Sequence, residues 1–271
     1  MSGSPLLESV ELTVTYGGLH ANDAVNLSVH AGTVTGLIGP NGAGKTTFID
    51  AITGFTAPSS GQVRFDGREI SALTPAKRAG IGLTRTFQSL ELLDDLTVWD
   101  NLRVAAERPK WWTFLHDFVQ PRRQLEADGQ AEWALEVMGL APMRDRLPVD
   151  LSHGQRKLVS VARALAGKPK LVLLDEPAAG LDTTESQALG ALLREFLKHD
   201  ITVFLIDHDM GLVLNVCDYL YVLDFGQIIA EGTPAEVRSN PKVIGAYLGE
   251  SAGESQAEEG RAAAAHRGSH E

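Results

Sequence analysis

Apolar residues in this chain change period from two to about 3.6 and back several times, and each change marks an element. Residues 7–14 alternate as a half-buried strand does, and after a turn at Thr15-Tyr16-Gly17-Gly18 the run Val25–Val29 reads as a second strand. Their pattern predicts an antiparallel layer. Val34–Ile38 is apolar and β-branched, and residues 47–53 suit a helix. Residues 62–67 read as a further hairpin strand, Thr74-Pro75 as the start of a short helix, and 82–88 as a strand ending in polar Gln88. From 97 to 140 the period is helical, with Val98, Leu102 and Ala105 on one face and Leu125, Trp133, Val137 and Leu140 on another. Between them, residues 108–123 gather Trp111, Trp112, Phe114 and Phe118. This cluster either closes a small helical subdomain or faces an apolar partner.

The second half is more regular. A helix is predicted from Leu151 to about Ala166, with Ser152 as its N-cap and Gly167-Lys168-Pro169 as its stop. Leu171–Leu174 is an unbroken apolar run, the pattern of a strand buried on both faces in a parallel sheet between helices, and Ile201–Ile206 reads as a second buried strand. An amphipathic helix (183–198) separates them. A hairpin, 219–223 with 227–230, and short helices near Pro234 and Pro241 follow. Residues 250–271 are Ala, Gly, Ser, Glu and His without period, and predict a disordered tail.

At 271 residues there is room for one large domain or two small ones. A formal charge of -11 argues against a protein that coats nucleic acid. The single cysteine, Cys217, excludes an internal disulfide framework and any Cys-based zinc cluster, and at an apolar helix end it reads as a small core residue. No apolar run approaches the ~18 residues of a membrane span, and the first residues lack the form of a signal peptide. The expectation is a soluble, cytoplasmic chain whose membrane role, if any, comes through a partner.

Chemistry concentrates where strands end. Gly39-Pro40-Asn41-Gly42-Ala43-Gly44-Lys45-Thr46 lies between a strand and a helix, the context a phosphate-binding loop requires. Glycines let backbone N–H groups converge on phosphate oxygens, and the helix N-terminus adds positive partial charge. Lys45 can reach the β- and γ-phosphates and Thr46 can ligate Mg²⁺. A nucleoside triphosphate is therefore the expected ligand. Asp175 and Glu176 close an apolar strand, where an acid needs a counter-charge. Mg²⁺ suits Asp175, leaving Glu176 to orient or activate water. Gln88 and His208 occupy equivalent strand ends, where ligands bind in such sheets. Tyr16 either packs locally or stacks a base. The first turn after Ser152 offers N–H groups to an anion.

In this order, Tyr16, the loop 39–46, Gln88, Leu151-Ser152-His153-Gly154-Gln155, Asp175-Glu176, Leu181-Asp182 and His208 resemble the ATP-binding subunit of an ABC transporter over residues 6–249. The resemblance implies an α/β P-loop NTPase fold of the ABC-ATPase type: a RecA-like core, an antiparallel β subdomain, and a helical signature subdomain at about 90–165. It further implies that Tyr16 stacks on adenine and that Gly39, Pro40, Asn41, Gly42, Ala43, Gly44, Lys45, Thr46 and Thr47 hold the phosphates. Thr46, Gln88 and Asp175 would serve Mg²⁺, Glu176 would act as general base, and His208 would contact the γ-phosphate. Ser152, Gly154 and Gln155 would address the nucleotide of an opposite subunit, so that two ATPase chains, identical or paralogous, close head to tail around two ATP. His153 departs from the family's commonest signature, which has glycine there.

Arg85-Thr86-Phe87-Gln88, Leu96-Thr97-Val98, Glu176-Pro177-Ala178-Ala179-Gly180-Leu181, His208-Asp209-Met210, Glu231-Gly232-Thr233-Pro234 and Ala246-Tyr247-Leu248-Gly249 narrow the resemblance to ATPases of branched-chain, or other hydrophobic, amino-acid importers. These work on the cytoplasmic side of the membrane with permease subunits and, indirectly, a solute-binding protein. Lipopolysaccharide-export ATPases share several of these phrases. Soluble ABC-type ATPases acting on DNA or ribosomes differ by long coiled-coil insertions or by a second ATPase unit, and no nucleic acid partner is expected.

Overall fold

The computed structural model describes residues 4–86, 92–107 and 121–247. Two sheets organise them. In the first, β1 (Leu7–Tyr16) lies between β2 (Leu19–Val29) and β4 (Ser60–Phe65), all antiparallel, with β5 (Arg68–Glu69) at the edge. The second holds β3 (Val34–Ile38), β6 (Leu83–Arg85), β7 (Leu171–Asp175), β8 (Thr202–Ile206), β9 (Tyr219–Asp224) and β10 (Gln227–Gly232), in the order β10-β9-β3-β8-β7-β6. Its pairs are parallel except β9 with β10, which form the hairpin read from the sequence.

Successive side chains of a strand point to opposite faces, and the core divides accordingly. Val172, Leu174, Val203, Leu205, Leu220 and Val222 face one cluster, which includes α5 (His153–Ala166) and α6 (Thr183–Leu197). Leu171, Leu173, Phe204, Ile206, Tyr221 and Leu223 face the other, which packs α1 (Lys45–Thr53) against the antiparallel sheet. All residues of β3, β7 and β8 are buried, the polar Thr35, Asp175 and Thr202 included.

Several boundaries differ from the expectation. β2 starts at Leu19 rather than Val25, because His20 and Asn22 pair with β1 through backbone bonds that require no apolar side chain. α1 begins at Lys45, directly after Gly44, instead of at Thr47. α2 (Pro75–Gly80) has Thr74 and Pro75 where predicted, though the Thr74 side chain makes no capping bond. The strand expected over 82–88 is observed as β6 up to Arg85, and Gln88 lies outside the described residues.

The helical stretch resolves into α3 (Val98–Ala106) and α4 (Pro121–Val137), and the aromatic cluster at 111–118 lies outside the described residues. Leu125 does not join the buried face of α4: it is 69% exposed. Ala127, Ala131 and Ala134, small side chains that let the helix lie close to its neighbours, form that face with Leu135, and Met138 just past the helix adds to it. α7 (Met210–Val216) and α8 (Pro234–Arg238) complete the labelled helices, and 241–247 are also helical. The tail expected at 250–271 lies outside the described residues.

Candidate active site

The loop between β3 and α1 requires glycine at fixed points. Gly39, Gly42 and Gly44 have φ of 155°, 77° and 100°, a region that disfavours side chains. Space is equally restrictive: a Cβ on Gly39 would stand 2.0 Å from the Leu223 carbonyl oxygen, and one on Gly44 2.3 Å from that of Ala21. The loop is tied down from outside. Gly226 N–H donates to the Ala43 carbonyl (2.9 Å), Asp23 N–H to that of Gly226 (2.9 Å), and Asn22 Nδ2 to that of Gly44 (3.2 Å). Lys45 Nζ donates to the Gly39 and Pro40 carbonyls at 2.6 and 2.8 Å, so its ammonium lies folded over the loop. Thr46 is exposed in the first turn of α1. This is a backbone cradle with a cation above it and a helix N-terminus beneath it, a fit for phosphate groups.

Asp175 ends β7, buried, and receives 2.8 Å from Arg85 Nη2. The other arm of Arg85 reaches Asp50 of α1. Burial pushes the Asp175 carboxyl above its usual range, and the Arg85 guanidinium pulls it back. Among the described residues no cluster of three or more acidic, His or Cys side chains could hold a metal alone. A divalent ion at Asp175 would therefore need further oxygen ligands beside that carboxylate, such as Thr46, the Gln88 expected from the sequence, water or phosphate, which is how Mg²⁺ sits with nucleotides. The donor set fits.

Glu176 follows with φ 48°, rare for a non-glycine residue, and its N–H donates to the Ile206 carbonyl at 2.7 Å. His208 Nδ1 lies 3.8 Å from both Glu176 Oε1 and Asp207 Oδ1, close without a hydrogen bond. Parallel strands thus bring Asp175, Glu176 and His208 to one end of the sheet, the end where β3 enters the loop. Tyr16 stands half-exposed at the end of β1, its hydroxyl 3.5 Å from Thr56 Oγ1.

Ser152 caps α5 as predicted: Gln155 N–H donates to its hydroxyl (3.2 Å), and Gln155 Oε1 accepts from Ser152 N–H (3.0 Å). α5 belongs to the core on the opposite side of the sheet from α1, so Ser152–Gln155 and the loop 39–46 come from opposite layers. Gly154 packs closely on α6 and the turn before it, since a Cβ there would stand 2.7 Å from Glu185 Oε1 and 3.3 Å from Leu181 Cδ2.

Sequence reasoning missed Arg85, Asp50, Asp207 and Lys157. Asp207 is fully buried and accepts from Ala178 N–H (3.0 Å) and Asp209 N–H (2.9 Å). Lys157 Nζ donates into the turn after β7, to the carbonyls of Glu176 (3.3 Å), Pro177 (3.4 Å) and Ala179. The available signal was a lysine four residues after His153, hence on the same face of α5.

A family model described as ABC transporter matches residues 22–179, and one described as branched-chain amino acid ATP-binding cassette transporter matches 227–253. The chain is 42% identical over 251 residues to the high-affinity branched-chain amino acid transport ATP-binding protein BraF of Pseudomonas aeruginosa, covering 91% of this chain and 98% of that protein. It is 39% identical over 251 residues to LivG of Escherichia coli, of the same description, with the same coverage. A crystal structure of the ADP conformation of MJ1267, an ATP-binding cassette of an ABC transporter, superposes with a TM-score of 0.79 at 35% identity, over 92% of this chain and 100% of that one. The dimeric cassette MJ0796 bound to ADP and Pi shares the fold, with a TM-score of 0.71 at 24% identity over 84% of this chain and 98% of that one. This chain therefore belongs to the ATP-binding proteins of ABC transporters, within the branched-chain amino acid transport family.

Proposed function

We propose that this ATPase drives import of branched-chain or other hydrophobic amino acids, docked through permease subunits on the cytoplasmic side of the membrane. It would work as one of two ATPase chains, identical or paralogous, closed head to tail around ATP and Mg²⁺. The observation that carries the reading is the convergence of the loop 39–46, Asp175, Glu176 and His208 at one end of one parallel sheet. The match at 227–253 supports the amino-acid reading over lipopolysaccharide export. No described helix is long and apolar enough to cross a membrane, so transport calls for separate permease subunits.

In this reading the N–H groups of Gly39 to Thr47 and the Lys45 ammonium hold the phosphates, Tyr16 stacks on the adenine, and Thr46, Asp175 and Gln88 hold Mg²⁺. When bound, that ion neutralises phosphate charge as it develops. Glu176 takes a proton from the attacking water, and His208 steadies the γ-phosphate side of the site. Ser152, Gly154 and Gln155 address the nucleotide held by the second subunit. Because α5 lies across the sheet from α1, one chain presents two unlike half-sites.

Glu176→Gln tests the base. The variant should bind ATP normally, lose turnover by about a hundredfold or more, and accumulate as an ATP-stabilised dimer in size-exclusion chromatography. Hydrolysis at the wild-type rate would remove Glu176 from this role.

A further inference from the structure

The Lys157 ammonium has three donors, and three carbonyls of the 176–179 turn receive them. Backbone oxygens carry no full charge to offset the desolvation of an ammonium, so holding Lys157 here has a cost. Burial lowers the Lys157 pKa, and the charges of Asp207 and Glu176 oppose that fall. The turn it grips is the one whose first residue, Glu176, holds a left-handed φ of 48°. Such a conformation costs on the order of 1–3 kcal/mol and persists only where surroundings over-determine it. Here they do so from two sides. Ile206 O and the Asp207 carboxylate hold the N–H groups of Glu176 and Ala178, while Lys157 holds the carbonyls.

The same helix touches the next stretch of chain. A Cβ on Gly180 would stand 3.4 Å from His153 Nε2, and one on Gly154 would meet Glu185 and Leu181. The first turns of α5 therefore rest directly on residues 180–185, with Lys157 fastening the preceding turn. α5 and the turn that carries Glu176 are thus in contact at both Lys157 and the first turn of the helix.

We propose that Lys157 is a positioning residue that links Ser152–Gln155 to Glu176, so that the half-site presented to one nucleotide sets the aim of the carboxylate serving the other. This rests on the assignment of Glu176 as base and of Ser152–Gln155 as the face turned to the second subunit. Lys157 touches no reacting atom. Its effect falls on the orientation of Glu176, where a displacement near 1 Å costs up to a hundredfold in rate.

The test uses the full chain. Lys157→Met keeps the stem and removes the donors, and Lys157→Arg keeps charge and donors. For Lys157→Met, kcat should fall at least about tenfold with KM within about twofold of wild type, and ATP-dependent dimer formation should persist in a Glu176→Gln background. Lys157→Arg should recover kcat to within about threefold. Should Lys157→Met be recovered unfolded, Lys157→Gln takes its place. A kcat within twofold of wild type for the Met or Gln variant overturns the proposal. So does equal loss in that variant and in Lys157→Arg with lowered melting temperatures, the mark of a merely structural lysine. Glu176→Gln is assayed alongside. If it turns over at the wild-type rate, the base assignment fails and the proposal with it. If it stalls while Lys157→Met is unimpaired, only the linkage fails.

Discussion

Strands β7 and β8 are neighbours, both fully buried, and both run into an aspartate: Asp175 is the last residue of β7, and Asp207 follows Ile206 at the end of β8. Burial raises the pKa of both carboxyls. Their partners differ. Asp175 takes a guanidinium from Arg85, a side chain that also reaches Asp50, whereas Asp207 takes the N–H groups of Ala178 and Asp209. A side-chain cation can rotate and surrender its carboxylate to another cation, while backbone N–H groups within a packed turn cannot. Asp175 is thus suited to exchange ligands, and Asp207 to hold the 176–179 turn in place.

Three substitutions separate the two. Asp175→Asn should show the largest effect, an ATPase rate lower by about a hundredfold or more, with a melting temperature within about 2 °C of wild type. A variant that loses stability but keeps its rate would make Asp175 a fastener like Asp207. Arg85→Gln should follow, because it leaves a buried carboxylate without its cation. The expected loss is about 3–5 kcal/mol, or roughly 6–20 °C in melting temperature for a chain of this size. Adding Asp175→Asn to Arg85→Gln should restore most of that loss, and a double variant no more stable than Arg85→Gln would mean the pair is not coupled.

Asp207→Asn comes last. Both Asp207 oxygens accept backbone N–H groups, and an asparagine can accept with only one, so about 1–3 kcal/mol should be lost. The loss should also depend on pH. A carboxyl whose folded pKa is raised favours folding below its unfolded value, and that contribution disappears as pH rises through the folded pKa. The gap between wild type and Asp207→Asn should therefore widen on acidification through this window, as paired melts at two pH values would show. A gap that narrows would mean the folded pKa is not raised.

The contrast also explains what could be read from the chain beforehand. The unbroken run Leu171–Leu174 and the mostly apolar Ile201–Ile206 announced buried strands, and the glycines at 39, 42 and 44 announced the cradle. Both signals are local, a matter of period or of allowed φ. That an acid follows each of these runs was also visible, though not that the strands are neighbours. Which cation meets which acid was not: Arg85 lies 90 residues from Asp175 and 35 from Asp50, and no local pattern encodes such pairings. Leu125 misled for a related reason, since alanines, weak in any count of apolar residues, occupy the face of α4 that packs.

The ties around the phosphate loop have a consequence for how the chain is made. β3 lies between β8 and β9, and the loop it feeds is held by Leu223 and Gly226 in the final hairpin. Residues 39–46 leave the ribosome well before Leu223 and Gly226, which follow nearly two hundred residues later. Until that hairpin is made, the glycine-rich segment has Ala21 and Asn22 of β2 to rest against but not Leu223 or Gly226. The cradle is therefore completed only when the hairpin joins it.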